Sequence, residues 1–143
     1  MKGKILVTIQ FTCLAVMAIV TDWLTLPWWV FLLLAISGFL AFWAMAVMKF
    51  GNFNIVPNPV VDGTMVSHGP YKLIRHPMYT SLLILGVGMF LKLISWQSII
   101  LLIIIIIALH ITCKVEEKEM LKKFGDEYKA YISKTKMFIP YLY

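Results

Sequence analysis

The run WLTLPWWVFLLLAISGFLAFWAMAVM, from Trp23 to Met48, decides the fold, because it holds no charged residue over a length that crosses a bilayer as one helix. Three further uncharged stretches accompany it: Ile5–Val20, Pro77–Leu91, and an isoleucine-rich run from Ser95 to about Cys113. The whole chain is 61% hydrophobic and 14% charged, whereas a soluble domain is about a quarter charged. The expected fold is therefore all-α. It is a polytopic membrane protein with four transmembrane helices in two hairpins, a cytoplasmic loop and short C-terminal amphipathic helices.

A single domain over residues 1–143 is expected, because nothing outside the apolar runs is large enough to bury its own core. Residues 1–48 hold spans 1 and 2, 49–77 a long polar loop, 78–113 spans 3 and 4, and 114–143 a polar tail. Lys2 and Lys4 precede the first run, but another span follows it in place of a small-x-small cleavage site, so it reads as a retained helix. Pro27 falls near the first turn of span 2, where proline is tolerated. Trp23, Trp28 and Trp29 form an interfacial belt at its start.

The loop Lys49–His76 is 28 residues long and carries the breakers Asn52, Asn54, Pro57, Asn58, Pro59 and Gly63. Connections of this length in a compact chain are often functional. Pro77 opens span 3, which covers about 22 Å up to Leu91; to reach across, it must continue past a snorkelling Lys92. Ser95 caps span 4. Beyond it, Gly125 ends a helix that runs from Lys114 to Phe124. Asp126 caps a short helix bearing Tyr128, Tyr131 and Ile132, which is expected to lie along the membrane or to fold over the long loop.

Charge sets the orientation. The N-terminus, the long loop and the tail carry all but one of the basic residues, and seven of the thirteen fall in the last thirty positions beside five acids. The positive-inside rule places these three segments, and both chain ends, in the cytoplasm. The net charge of +6 is thus read as membrane-side charge facing anionic lipid, with no nucleic-acid partner. Cys13 and Cys113 lie far apart in apolar runs and read as small buried hydrophobes. No metal-ligand spacing is present.

Two polar clusters remain. One runs from Ser67 to Tyr79, where the loop enters span 3. The other is Glu116-Glu117, where span 4 leaves the membrane. The short turn between spans 3 and 4 brings the start of one beside the end of the other, so the clusters converge. Amides at the start of span 3 favour an anion. Arg75 can hold a carboxylate bidentately, Glu116 or Glu117 can accept from a ribose diol, and Tyr71 and Tyr79 offer faces to a cation. A sulfonium cofactor with an amino-acid end and a nucleoside end uses all of these features. The plainer alternatives are interfacial anchoring by Arg75 and His76 and a solvated glutamate face. His110 either lines the same pocket, two turns before Glu117, or is a buried histidine bonded to backbone. Gly86-Val87-Gly88 reads as close helix packing.

The order Gly69-Pro70-Tyr71, Arg75-His76-Pro77-x-Tyr79, an apolar hairpin, Glu116-Glu117-x-x-x-Leu121-x-x-x-Gly125, Tyr128, Tyr131 and Phe138-Ile139-Pro140 resembles the isoprenylcysteine carboxyl methyltransferase family and its phospholipid methyltransferase relatives. The resemblance covers about the last eighty residues. It implies a membrane methyltransferase that uses S-adenosylmethionine on a lipophilic acceptor, an isoprenylcysteine-like carboxylate or a related lipid head group. It also implies that Arg75 and Glu117 act at the reacting groups, and that the donor is held by His68, Gly69, Tyr71, Leu73, His76, Pro77, Tyr79, Glu116 and Glu117. Two positions depart from the family pattern: Ser81 stands where glycine is usual, and Met137 where relatives often carry a basic residue.

Two other classes fit less of the chain. A sterol-reductase-like enzyme needs an NADPH site and a much longer polypeptide. The other is a non-enzyme, a small four-span transporter or assembly protein; a proton-coupled exporter of this size needs an ionisable residue within a span, and no Asp or Glu lies inside one.

Overall fold

The computed structural model describes residues 2–48 and 64–142. It contains four α-helices: α1 (Lys2–Val20), α2 (Trp28–Met48), α3 (Pro77–Leu93) and α4 (Trp96–Lys134). Three of them, α1, α2 and α4, are long and apolar enough to cross a membrane; α3 is apolar but shorter. The breaker-rich stretch from Lys49 to Gly63 lies outside the described residues.

Local chemistry sets the helix boundaries. Trp23–Thr25 forms a separate 3-10 turn, so the helix of span 2 starts at Trp28, five residues later than expected. The cause is Asp22, whose carboxylate accepts from Leu24 N (3.1 Å) and Thr25 Oγ1 (2.6 Å) and closes the turn on itself. Helix α3 does continue past Lys92 to Leu93. At 17 residues it spans about 25 Å, less than the bilayer core of about 30 Å. Lys92 reaches back to Thr25, with Nζ 2.8 Å from its carbonyl and 2.9 Å from its hydroxyl, and ties the turn before α2 to the end of α3. Ser95 caps α4 in a reciprocal box with Ser98. Gly125 interrupts α4 at φ 53°, a left-handed conformation that glycine adopts without steric cost. Asp126 Oδ1 accepts from Lys129 Nζ at 2.8 Å.

The hairpins expected from the short turns do not describe the main packing. Helix α1 lies along α4 and α2 along α3, while α3 meets α4 less extensively and α1 and α2 make at most slight contact. Side chains of α1 (Cys13, Leu14, Met17) interlock with Met89 of α3 and with Ile105, Leu109 and Cys113 of α4 in one buried cluster. Within the apolar layer, Gln10 Nε2 donates to Thr112 Oγ1 at 2.7 Å, and both residues are fully buried. Small residues bring α2 and α3 together: Ser37 Oγ donates to Ser81 O at 2.8 Å. The glycine pair serves two neighbours, since a Cβ at Gly88 would face Leu33 of α2, whereas one at Gly86 would face Leu102, Ile105 and Leu14. Ser81, the departure from the family glycine, is buried, and its hydroxyl donates to Met78 O at 2.6 Å.

The outer faces are apolar. Ile99, Ile100, Ile103, Ile104, Ile106, Ile107 and Ile111 of α4 are exposed, as are Phe31, Leu32, Ile36, Phe39, Phe42 and Trp43 of α2. Such a surface belongs in lipid. The isoleucine face of α4 stops at Ile111, and exposed Lys114 follows one turn on.

Candidate active site

The segment that leads into α3 begins as a 3-10 turn, Gly69–Lys72, with Pro70 in its first positions. Gly69 is required there twice over. Its φ is +61°, and a Cβ would lie 2.8 Å from Val47 Cγ2 at the end of α2. Tyr71 is buried, its hydroxyl 3.9 Å from Met48 Sδ. His68 precedes the turn and is exposed, and so is Leu73.

The next residues are held by the tail. Beyond α4 the chain runs extended and parallel to residues 73–76, bridging Ile74 with Lys136. Lys136 N donates to Leu73 O (3.1 Å), Arg75 N to Lys136 O (2.7 Å) and His76 N to Met137 O (3.3 Å). Thr80 Oγ1 adds a bond to Phe138 O at 3.1 Å. Met137 and Phe138 are buried in the core cluster beneath the bundle. The last turns of α4 therefore fold over the motif segment, as one of the two expectations had it. Tyr131, buried, donates its hydroxyl to Tyr71 O at 2.6 Å.

Arg75 joins the two clusters. Its Nε donates to Glu117 Oε1 at 2.7 Å, and its Nη1 to Thr135 O at 2.6 Å and Ile132 O at 3.4 Å. Glu117 is 6% exposed, and its second oxygen accepts from Lys114 Nζ at 3.3 Å. Burial raises the Glu117 carboxyl, but the imidazole of His76 and the guanidinium of Arg75 outweigh it and hold Glu117 at about 2. For Tyr71, Tyr128 and Tyr131 burial pushes the phenol up, so all three remain neutral.

His76 sits between the two glutamates. Nδ1 is 3.7 Å from Glu116 Oε2 and Nε2 is 3.5 Å from Glu117 Oε1, both beyond ordinary hydrogen-bond length. Among the described residues, His76 Nε2 and Glu116 Oε2 are the buried side-chain atoms left with no hydrogen-bond partner. Buried polar atoms without partners are rare, and each calls for an explanation. Tyr79 packs beside His76, ring centroids 5.7 Å apart, and Pro77 opens α3 immediately after it.

Arg75, His76, Pro77, Tyr79, Glu116 and Glu117 are thus brought to one place, with Tyr71 fastened to it through Tyr131. His68 and Leu73 lie at the surface, and Gly69 shapes the turn against α2. His110 is half-buried on α4. Lys114, Thr135 and the carbonyl of Ile132 belong to the site as well. Lys114 was legible as a basic residue three before Glu117. Thr135 and Ile132 act through backbone carbonyls, which leave no mark in a sequence. Met137 is turned into the core, so a methionine there serves packing.

The arrangement offers a fixed carboxylate, a fixed guanidinium and two unfilled polar valences at the end of an apolar bundle. It fits a ligand with both acidic and cationic groups. Among known families, the model of the phospholipid methyltransferase family matches residues 27–127, well over half of the chain. No curated protein matches it.

Proposed function

Because the chain belongs to the phospholipid methyltransferase family, we propose that it transfers a methyl group from S-adenosylmethionine to a lipophilic acceptor within the membrane. The observation that carries the donor is the pair of unfilled valences on His76 and Glu116, set beside the Arg75–Glu117 bridge. S-adenosylmethionine presents a carboxylate, an ammonium, a sulfonium and a ribose diol, which suit this mixture of basic and acidic groups. When bound, it supplies an electrophilic methyl group.

In this reading His76, Glu116 and Tyr79 hold the donor, Pro77 and Gly69 shape the backbone around it, and Tyr71, His68 and Leu73 flank it. Arg75 and Glu117 stand closest to the reacting groups. A carboxyl held at about 2 is a poor proton acceptor at neutral pH, so Glu117 works by charge and hydrogen bonding and not as a general base. Its fixed negative charge suits a cationic centre, and Arg75 keeps it in one position. A carboxylate acceptor requires no base, so an isoprenylcysteine-like head group is compatible with this set of residues. The main tasks left to the protein are to align the reactants and to exclude water.

The basic residues motivate a topology of four spans with both ends, the motif segment and the tail on the cytoplasmic side. The soluble donor then arrives from the cytoplasm, and the acceptor moves laterally from the bilayer past the exposed apolar faces of α2 and α4. Donor binding is tested by melting the protein with S-adenosylmethionine or its demethylated product. Ligand at 100 times its Kd stabilises by about 2.7 kcal/mol, and Glu116→Gln should diminish that shift in a folded protein. Turnover is tested with labelled donor and acceptors that share one head group but differ in chain length. A chainless acceptor methylated as well as a long-chain one excludes lateral access, and a melting curve unmoved by either ligand excludes the donor.

A further inference from the structure

A second feature lies beside the Arg75–Glu117 bridge. A depression there is lined by Arg75, Lys114, Ile132, Thr135, Lys136, Met137 and Leu142. Three of these residues are cationic and none is acidic. Glu117 offsets part of the charge, because it accepts from both Arg75 and Lys114. The Lys136 ammonium has no ionic partner among the described residues, and its backbone is fixed by the bridge to Ile74. The depression therefore keeps a positive excess, with one cation uncommitted.

Its position says which anion can reach it. The lipid-facing isoleucines of α4 end at Ile111, and Lys114, exposed, follows on the same helix. The depression thus opens where the apolar surface gives way to polar residues, which in a bilayer is the headgroup layer. Its apolar rim is Leu142, 77% exposed, with Tyr141 and Ile139 also exposed next to it. Cations beside exposed apolar groups at that depth match a ligand whose phosphate and acyl chain lie side by side.

We propose that this depression seats the phosphate of an anionic membrane lipid, so that the lipid braces the tail segment Thr135–Phe138 against the motif segment. The seat shares Arg75, Lys114, Ile132 and Thr135 with the site described above but is lined by neither His76 nor Glu116, and its occupation needs neither methyl donor nor turnover. It joins Lys114 on α4 to Lys136 on the tail across the backbone that Arg75 already fastens.

The test uses the full chain, free of donor, in nanodiscs of phosphatidylcholine with a minority of phosphatidylglycerol. Lipids retained after release are counted by native mass spectrometry. The wild type should retain phosphatidylglycerol above its share of the bilayer. Lys136→Gln should reduce that preference about five-fold, the equivalent of about 1 kcal/mol for one basic residue at an anionic surface. Lys136→Arg should keep it, which separates loss of charge from loss of fold, and Lys114→Gln with Lys136→Gln should remove it. Protection of residues 135–138 from hydrogen exchange should rise with phosphatidylglycerol in the wild type and in Lys136→Arg, and not in the double variant. Equal retention by wild type and double variant overturns the proposal. Release of the lipid by millimolar inorganic phosphate would mark a soluble-phosphate site, and overturns the membrane assignment.

Discussion

Replacing Arg75 with methionine tests how the two halves of the site are joined. The change removes the partner of a buried carboxylate, together with the donor to two carbonyls at the end of α4. Breaking a buried pair from one side costs about 3–5 kcal/mol. His76 and Arg75 together hold the Glu117 carboxyl at about 2 against an ordinary 4.5, and Arg75→Met removes the Arg75 share of that depression. The sign follows from linkage. A carboxyl depressed in the folded protein contributes stability that is full above its unfolded value near 4.5 and is lost as pH falls through about 2. In Arg75→Met, burial of Glu117 is no longer outweighed to the same extent, so its carboxyl rises. The deficit against wild type should then be greatest at neutral pH and shrink as acid neutralises the buried group.

Thermal melting in detergent across a pH series reads this out, with hydrogen exchange over residues 132–138 as the local probe. The double variant Arg75→Met/Glu117→Gln should be more stable at neutral pH than Arg75→Met alone, because it carries no uncompensated charge. A double variant that loses the sum of the two single effects, or a deficit independent of pH, would refute the coupling.

Three further outcomes follow from particular contacts. Tyr131→Phe removes the bond from its hydroxyl to Tyr71 O and should cost about 1 kcal/mol, with faster exchange of the amides in Gly69–Lys72. Gly69→Ala should cost about 1–2 kcal/mol from its positive φ alone, and more from the approach to Val47; adding Val47→Ala should recover the second part and not the first, as measured by melting temperature. Gln10→Leu breaks the bond to Thr112 within the apolar layer and should lower stability by only about 0.6 kcal/mol, because polar pairs inside membranes are worth little net. A fall of several kcal/mol in a steric trap assay would show that this pair carries the α1–α4 interface.

Much of this architecture was open to inspection in the chain itself. Long uncharged runs leave a chain few options in lipid, where each backbone group must be satisfied within its own helix, so four helices follow from composition. Ser95 and Gly125 mark boundaries because capping and left-handed backbone are local chemistry. The convergence of Arg75 and His76 with Glu116 and Glu117 could be read for a similar reason: a short turn leaves antiparallel neighbours little freedom at their far ends.

Helix pairing could not be read in this way. Spans apolar on every side carry no stripe that selects a neighbour, and the pairing of α1 with α4 and of α2 with α3 rests on interlocking shape at Cys13, Leu14, Met17, Ser37, Ser81 and Gly88. The fastening of the tail was equally hidden. Its bonds run through the carbonyls of Ile132, Thr135, Lys136, Met137 and Phe138, and every residue type has a carbonyl. The sequence by itself thus determined which segments form apolar helices and which ionisable residues meet at their ends, since hydropathy and short connections act locally. The tertiary structure alone decided which helices touch, and that Arg75 binds Glu117 and the tail at once, because shape complementarity and backbone hydrogen bonds come into being only when distant segments are brought together.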